Sequence, residues 1–203
     1  GVLCVHPIWE ENVFIYKKCR VFGGTIADYA VAGVAAKHLD VADLVLTGGH
    51  GLALLAHKNL RFASVAIDML PESGNVGLFT LKGTVKGTDL AVQGGVLGVR
   101  ARKVDIDGMV ASGSLSGAIN GNSTRLRNAL LTDGGVGIDG GNHATVEDSS
   151  ITGHAGEGVM ARKVKLIGST VTGNGLDIRA EKAQVLDGST CGTSSGLGLC
   201  TAD

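Results

Sequence analysis

Apolar and polar residues alternate along most of the chain in short runs of period two, broken every few positions by Gly, Ser, Asn or Asp. This is the pattern of strands joined by tight turns; helical spacing fits it poorly. The stretch 158–173, GVMARKVKLIGSTVTG, shows it most clearly, with Val159, Ala161, Val164, Leu166 and Val171 expected to point inward. The same frame fits GVRARKVDIDGMVASG at 98–113 through Val99, Ala101, Val104, Ile106 and Ala111, and GVAAKHLDVADLVLTG at 33–48 through Val34, Ala36, Leu39, Val41 and Leu46. Less regular copies begin at Ala53, Gly77, Ala118, Gly137 and Asp177.

The leading apolar residue of each copy recurs at Val34, Leu54, Leu78, Val99, Ile119, Ile138, Val159 and Ile178, in steps of 20, 24, 21, 20, 19, 21 and 19 residues. A nearly constant period of this size predicts a solenoid, in which one coil cannot bury its apolar face except against the next. The second inward position is small in nearly every copy (Ala36, Ala56, Thr80, Ala101, Gly121, Gly140, Ala161, Ala180), which predicts a narrow place in the stack. With strands about 4.8 Å apart, eight or nine such coils make a rod roughly 40 Å long. The 33 glycines and two prolines agree, since glycine serves coil corners and proline deletes ladder hydrogen bonds. Collagen is excluded by the lack of a strict G-X-Y period, and the hexapeptide period of a left-handed helix is missing too.

The recurring frame G-[VI]-x-[AG]-x-x-[VL]-x-[VIL]-x-[GDN]-S-x-[IV]-T-G-[NH], seen at 158–174 and as GIDGGNHATVEDSSITGH at 137–154, resembles that of the right-handed parallel β-helix proteins grouped as pectin-lyase-like. The resemblance covers roughly residues 31–190. It implies an all-β fold, a right-handed parallel β-helix solenoid of about eight to nine coils with capped ends. The expected division is 1–32 as an N-terminal cap with a first irregular coil, 33–190 as the helix, and 191–203 as a disulfide-closed tail. The family includes pectate lyases, polygalacturonases, alginate-modifying enzymes, phage tailspikes and adhesins, so the resemblance implies a fold and no single activity. The tail CGTSSGLGLCTAD also resembles the ends of secreted bacterial β-helix proteins.

The four cysteines lie outside the regular coils, Cys4 and Cys19 at one end and Cys191 and Cys200 at the other. Of three possible pairings the local ones, Cys4 with Cys19 and Cys191 with Cys200, are favoured because the ends of a rod are too far apart to bridge. Disulfides imply an oxidising compartment and an extracellular or cell-surface location; free thiols in a cytosolic protein are the alternative. Neither pair has the close spacing of a zinc knuckle. A start at Gly1 rather than Met reads as processing, and no run of eighteen apolar residues predicts a membrane span.

A formal net charge of −1, from 18 basic and 19 acidic residues, gives no overall bias toward polyanions, and nucleic acid is not expected as a partner. Five of the seven aromatic residues, Trp9, Phe14, Tyr16, Phe22 and Tyr29, fall in the first 32 positions. They read as a hydrophobic cap over the exposed strand edge, or as a docking surface for another protein, with Trp9 and Tyr16 as candidate binding residues.

Any function has to sit on outward positions. The outward column of the first strand runs Ala35, Leu55, Phe79, Arg100, Asn120, Asp139, Met160, Arg179, with Arg162 one position further along. Polysaccharide lyases of the resembled fold use carboxylates for calcium and a basic residue to take a proton beside a uronate. Arg100, Asp139 and Arg162 are therefore candidate catalytic residues, and Asn120 a candidate binding residue. Only Asp139 is acidic there, whereas calcium needs several oxygen ligands and a hydrolase needs two carboxyls. A second column holds Asp40 beside Arg61, Asp105 beside Arg125, and Asp107 beside Arg127 and Glu147, expected to be surface pairs that fix register. His50 and His154 occupy similar corners and are expected to stack or face solvent. Thr47, Thr132, Thr152 and Thr172 line another corner as a single, broken column, short of the double row an ice-binding face needs.

The expectation is thus a rigid extracellular structural or recognition module without cofactor, whose partner is an extracellular polysaccharide or another protein at the aromatic end. The alternative is a lyase or hydrolase acting on acidic polysaccharide, and only that reading calls for calcium.

Overall fold

The computed structural model describes residues 18–29, 32–70, 74–195 and 200, and the backbone of the short strands Val2–Cys4, Ile8–Trp9 and Val13–Phe14. The chain is all-β, a parallel β-solenoid of about 9 turns. Early coils are single long strands that bend round the corners, such as Ala32–Gly49 and Leu52–Met69. Later coils divide into three, as in Val136–Asp139, His143–Glu147 and Ser150–Thr152. Each coil thus presents three faces, called first, second and third in chain order.

The eight anchors predicted from the repeat lie in one unbroken ladder on the first face, Val34 on Leu54, Leu54 on Leu78, and so on through Val99, Ile119, Ile138 and Val159 to Ile178. All eight are buried. Just before each anchor stands Gly33, Ala53, Gly77, Gly98, Ala118, Gly137 or Gly158, until the last coil puts Asp177 there. The reason for small residues is close approach between coils: a Cβ added at Gly98 would lie 2.6 Å from the carbonyl oxygen of Ala118.

On the second face the inward columns run Leu39, Leu60, Val85, Val104, Thr124, Ala144, Val164, Ala183 and Val41, Phe62, Gly87, Ile106, Leu126, Val146, Leu166, Val185. On the third face the column is Ile26, Leu46, Ile67, Val92, Ala111, Leu131, Ile151, Val171, Cys191. Apolar burial along these ladders is the main stabilising contribution. The chain turns from the second to the third face at a left-handed residue in each coil, among them Asp43, Ser64, Asp89, Asn128 and Asp148, with φ between 47° and 56°. Asp and Asn tolerate this conformation better than other residues with a Cβ.

Three serines complete that corner in the last coils. The hydroxyl of Ser149 accepts from the Ala129 amide at 3.0 Å, that of Ser169 from the Ser149 amide at 3.2 Å, and that of Ser189 from the Ser169 amide at 3.0 Å. The serine of the sequence frame is therefore a ladder that satisfies buried amides between coils.

Bulky inward residues sit against glycines of neighbouring coils. The Tyr29 ring fills the space above Gly49, Phe62 pairs with Gly87, Met69 covers Gly95, and the His154 imidazole lies over Gly134 and Gly137. Of the five early aromatic residues, Tyr29 is buried and Phe22 is 45% exposed. The side chains of Trp9, Phe14 and Tyr16 lie outside the described residues. Lys18–Ala27 is already in full register with the coil that follows, from Lys18 on His38 to Ala27 on Thr47.

Cys191 and Cys200 form the predicted disulfide, with Cα atoms 5.3 Å apart. Cys19 is buried and its backbone pairs with Val2, while the Cys4 side chain lies outside the described residues. The step of 24 residues between Leu54 and Leu78 contains the longest corner, and Asn75 closes it. Its buried amide accepts from the Gly51 N–H at 2.6 Å and donates to the Leu70 carbonyl at 2.8 Å.

Candidate functional site

The register stacks Arg100, Asn120 and Asp139 directly on one another on the first face, with Phe79 before them and Met160 and Arg179 after. The sequence-predicted column is therefore real, yet its groups satisfy one another. Asp139 accepts from the Asn120 side chain at 2.9 Å and from the Gly141 amide at 3.2 Å. The Arg100 guanidinium lies over the Phe79 ring, 5.7 Å from its centroid. Arg162 pairs with Glu181 at 3.2 Å, and Arg179 with Glu157 at 2.7 Å. No second carboxylate follows Asp139 in its column. Among the described residues no group of three or more His, Cys, Asp or Glu is arranged to hold a metal ion.

The second-face charges pair differently from the sequence expectation. Asp40 does stack on Arg61, but its ion pairs are with Lys18 at 3.3 Å and Arg20 at 3.5 Å. Asp105 stacks on Arg125 but binds Arg127 at 3.0 Å and Lys86 at 3.2 Å, while Arg125 reaches Glu147 at 3.0 Å. Asp107 keeps Arg127, at 3.3 Å. Long side chains reach diagonally to the coil that leaves them a counter-charge, so direct stacking does not fix the partner. Asp107 and Glu147 lie two coils apart, with Arg127 in the register position between them. Burial raises the Asp105 carboxyl, but hydrogen bonds and charge from Lys86 and Arg127 outweigh it and hold the group below its ordinary value.

Two residues acquire roles that the sequence reading missed. Asp177 is buried and gathers five donors: the Asn174 amide at 3.0 Å and side-chain NH₂ at 2.9 Å on one oxygen, and the Gly192 amide at 3.0 Å, Thr193 amide at 2.7 Å and Thr193 hydroxyl at 3.1 Å on the other. Burial pushes its carboxyl up, and the bonds from Asn174 and Thr193 more than reverse that shift, leaving it below the ordinary value. The signal was present in the sequence, as an Asp in a column otherwise Gly or Ala. His154, expected at a solvated corner, instead points inward and is 3% exposed, with neither ring nitrogen hydrogen-bonded. Burial lowers its basicity, against smaller opposing effects of the Leu131 carbonyl and Asp133.

The threonine column is interrupted as expected: Thr47 is followed by Asp68, Gln93 and Ser112 before Thr132, Thr152 and Thr172. A second row, Ser150, Thr170 and Thr190, lies beside it on the last coils only. Earlier on the same face the outward row is apolar, and Val45, Ala66, Ala91 and Val110 line a shallow groove of about 470 Å³.

No family model, no curated protein and no solved structure matches the chain. No helix among the described residues is long and apolar enough to cross a membrane.

Proposed function

We propose that the protein acts as a rigid extracellular or cell-surface module, a scaffold or recognition element rather than a catalyst. The observation that carries this reading is the commitment of Asp139 to Asn120 and Gly141, with no second carboxylate in its column. Glycoside hydrolysis needs two carboxyls facing one bond, and calcium-assisted elimination needs several oxygen ligands. A solenoid held by side-chain ladders presents fixed rows of groups at coil spacing, which suits repetitive recognition. The Cys191–Cys200 disulfide supports an oxidising compartment.

The competing activity is a lyase or hydrolase on acidic polysaccharide, and one assay separates the two. Uronic-acid polysaccharides are incubated with the protein, with and without calcium, while ultraviolet absorbance of unsaturated ends and reducing sugar are followed. The module produces neither. Turnover that disappears in Asp139→Ala or Arg100→Ala would place the first face among catalytic surfaces and end the scaffold reading.

A further inference from the structure

The near-zero net charge conceals a strongly uneven second face. Its carboxylates, Asp40, Asp105, Asp107 and Glu147, all stand in earlier coils and are neutralised there by Lys18, Arg20, Lys86, Arg125 and Arg127. The next two coils present Lys163–Ile167 and Lys182–Leu186, which contain three lysines and no acid. Lys163 stacks between His143 and Lys182, and Lys165 between Thr145 and Gln184. These residues line a groove of about 390 Å³. None of the three lysines has a carboxylate within ion-pairing distance among the described residues, and the nearest coil acids are taken, Glu147 by Arg125 and Glu181 by Arg162.

Like charges stacked on adjacent strands repel. With coils about 4.8 Å apart and residues i and i+2 about 7 Å apart, three ammonium groups spring from one small patch. A ligand that relieves this repulsion must bring several negative charges in a comparably small space. A uronate polymer spreads one charge over each sugar and needs a long track, whereas this groove is confined to the last coils. Lysine also serves as a point-charge phosphate binder, where carboxylate forks favour arginine. Thr145 and Gln184 add neutral donors at the rim.

We propose that this groove binds a compact condensed-phosphate group through Lys163, Lys165 and Lys182. The site stands on the second face, so it does not depend on whether the first face is catalytic, and the polysaccharide assay above fails or succeeds separately.

The test is calorimetric titration of the full chain with inorganic tripolyphosphate at low salt. Orthophosphate and an oligogalacturonate are run in parallel. Binding of tripolyphosphate in preference to both is expected, weakening about tenfold for each of Lys163→Gln, Lys165→Gln and Lys182→Gln. Lys86→Gln, which removes a lysine already paired with Asp105, should leave it unchanged. The lysine variants unfold at the parent temperature or slightly above, because repulsion is relieved, so lost binding cannot be lost folding. The proposal is overturned if tripolyphosphate does not bind, if the three variants bind as the parent does, or if the oligogalacturonate binds more tightly through the same lysines.

Discussion

Replacing Asp177 should unfasten the C-terminal end of the rod while leaving its middle intact. The carboxylate receives five donors between 2.7 and 3.1 Å, three of them backbone amides, of Asn174, Gly192 and Thr193. Removing one partner of a hydrogen bond to a charged group costs about 1.5–3 kcal/mol, and the bonds of one carboxylate are not additive, so Asp177→Ala is expected to cost about 3 kcal/mol. Asp177→Asn keeps one acceptor but turns an NH₂ toward amide donors, and should cost about 2 kcal/mol. In a solenoid such a loss stays near the altered coil. Amide hydrogen exchange, resolved by peptide, then shows protection falling about a hundredfold over 174–193 in the Ala variant and hardly at all over 97–132. The pH dependence follows from the lowered carboxyl. The stabilisation is complete above the unfolded value of about 3.9 and is lost as pH falls through the lower folded value, so acid should open this end in the parent and the response should be flattened in Asp177→Asn. Equal protection of 174–193 in parent and Ala variant would refute the reasoning.

Three further outcomes follow from buried polar groups. Ser169→Ala leaves the Ser149 amide without its acceptor and should destabilise by about 1–2 kcal/mol in chemical unfolding, whereas Thr170→Ser, at an exposed outward position of the same coil, should cost less than about 0.5 kcal/mol. Tyr29→Phe removes a buried hydroxyl that has no hydrogen-bond partner, and should raise the unfolding temperature or leave it unchanged. His154 is held neutral by burial, so the stability it contributes is present above about pH 6.5 and is lost as pH falls through its lower folded value. Asp133, the charge facing it, opposes this only in part. Unfolding temperatures measured at pH 7 and 5 should therefore differ more in the parent than in His154→Asn, which takes the residue type found one coil later at Asn174.

The strand ladders were legible because strand periodicity and coil length are both written in side-chain size. A run such as Val159, Ala161, Val164, Leu166 and Val171 fixes which atoms face inward before any coordinates exist, and all five are buried. Corners were harder. Whether His154 points in or out depends on the turn angle after Thr152 and on the space over Gly134 and Gly137, neither of which follows from alternation. Ion pairing was legible only as columns, since Arg125 and Arg127 choose their acids by side-chain reach. Asp177 was visible as an exception to a glycine column, but its five donors come partly from a tail that the repeat does not describe. The column Arg100, Asn120, Asp139 was placed correctly in register, but that Asn120 and Gly141 engage Asp139 and that Arg100 lies over Phe79 depends on side-chain reach, which alternation does not encode.

The pairing of four bulky inward residues with glycines bears on how the chain avoids assembling wrongly. Coils of similar length and similar pattern invite shuffling, with one docking on the wrong neighbour or on a coil of another molecule. Tyr29 fits over Gly49, Phe62 beside Gly87, Met69 over Gly95 and His154 over Gly134, on three different coils and with four different shapes. A coil displaced by one place would set the Tyr29 ring against Met69 and the Phe62 ring against Ile106, and leave a hole where each ring belonged. These few large-against-small pairings mark three of the coils, and so oppose misordering in a sequence otherwise built by repetition.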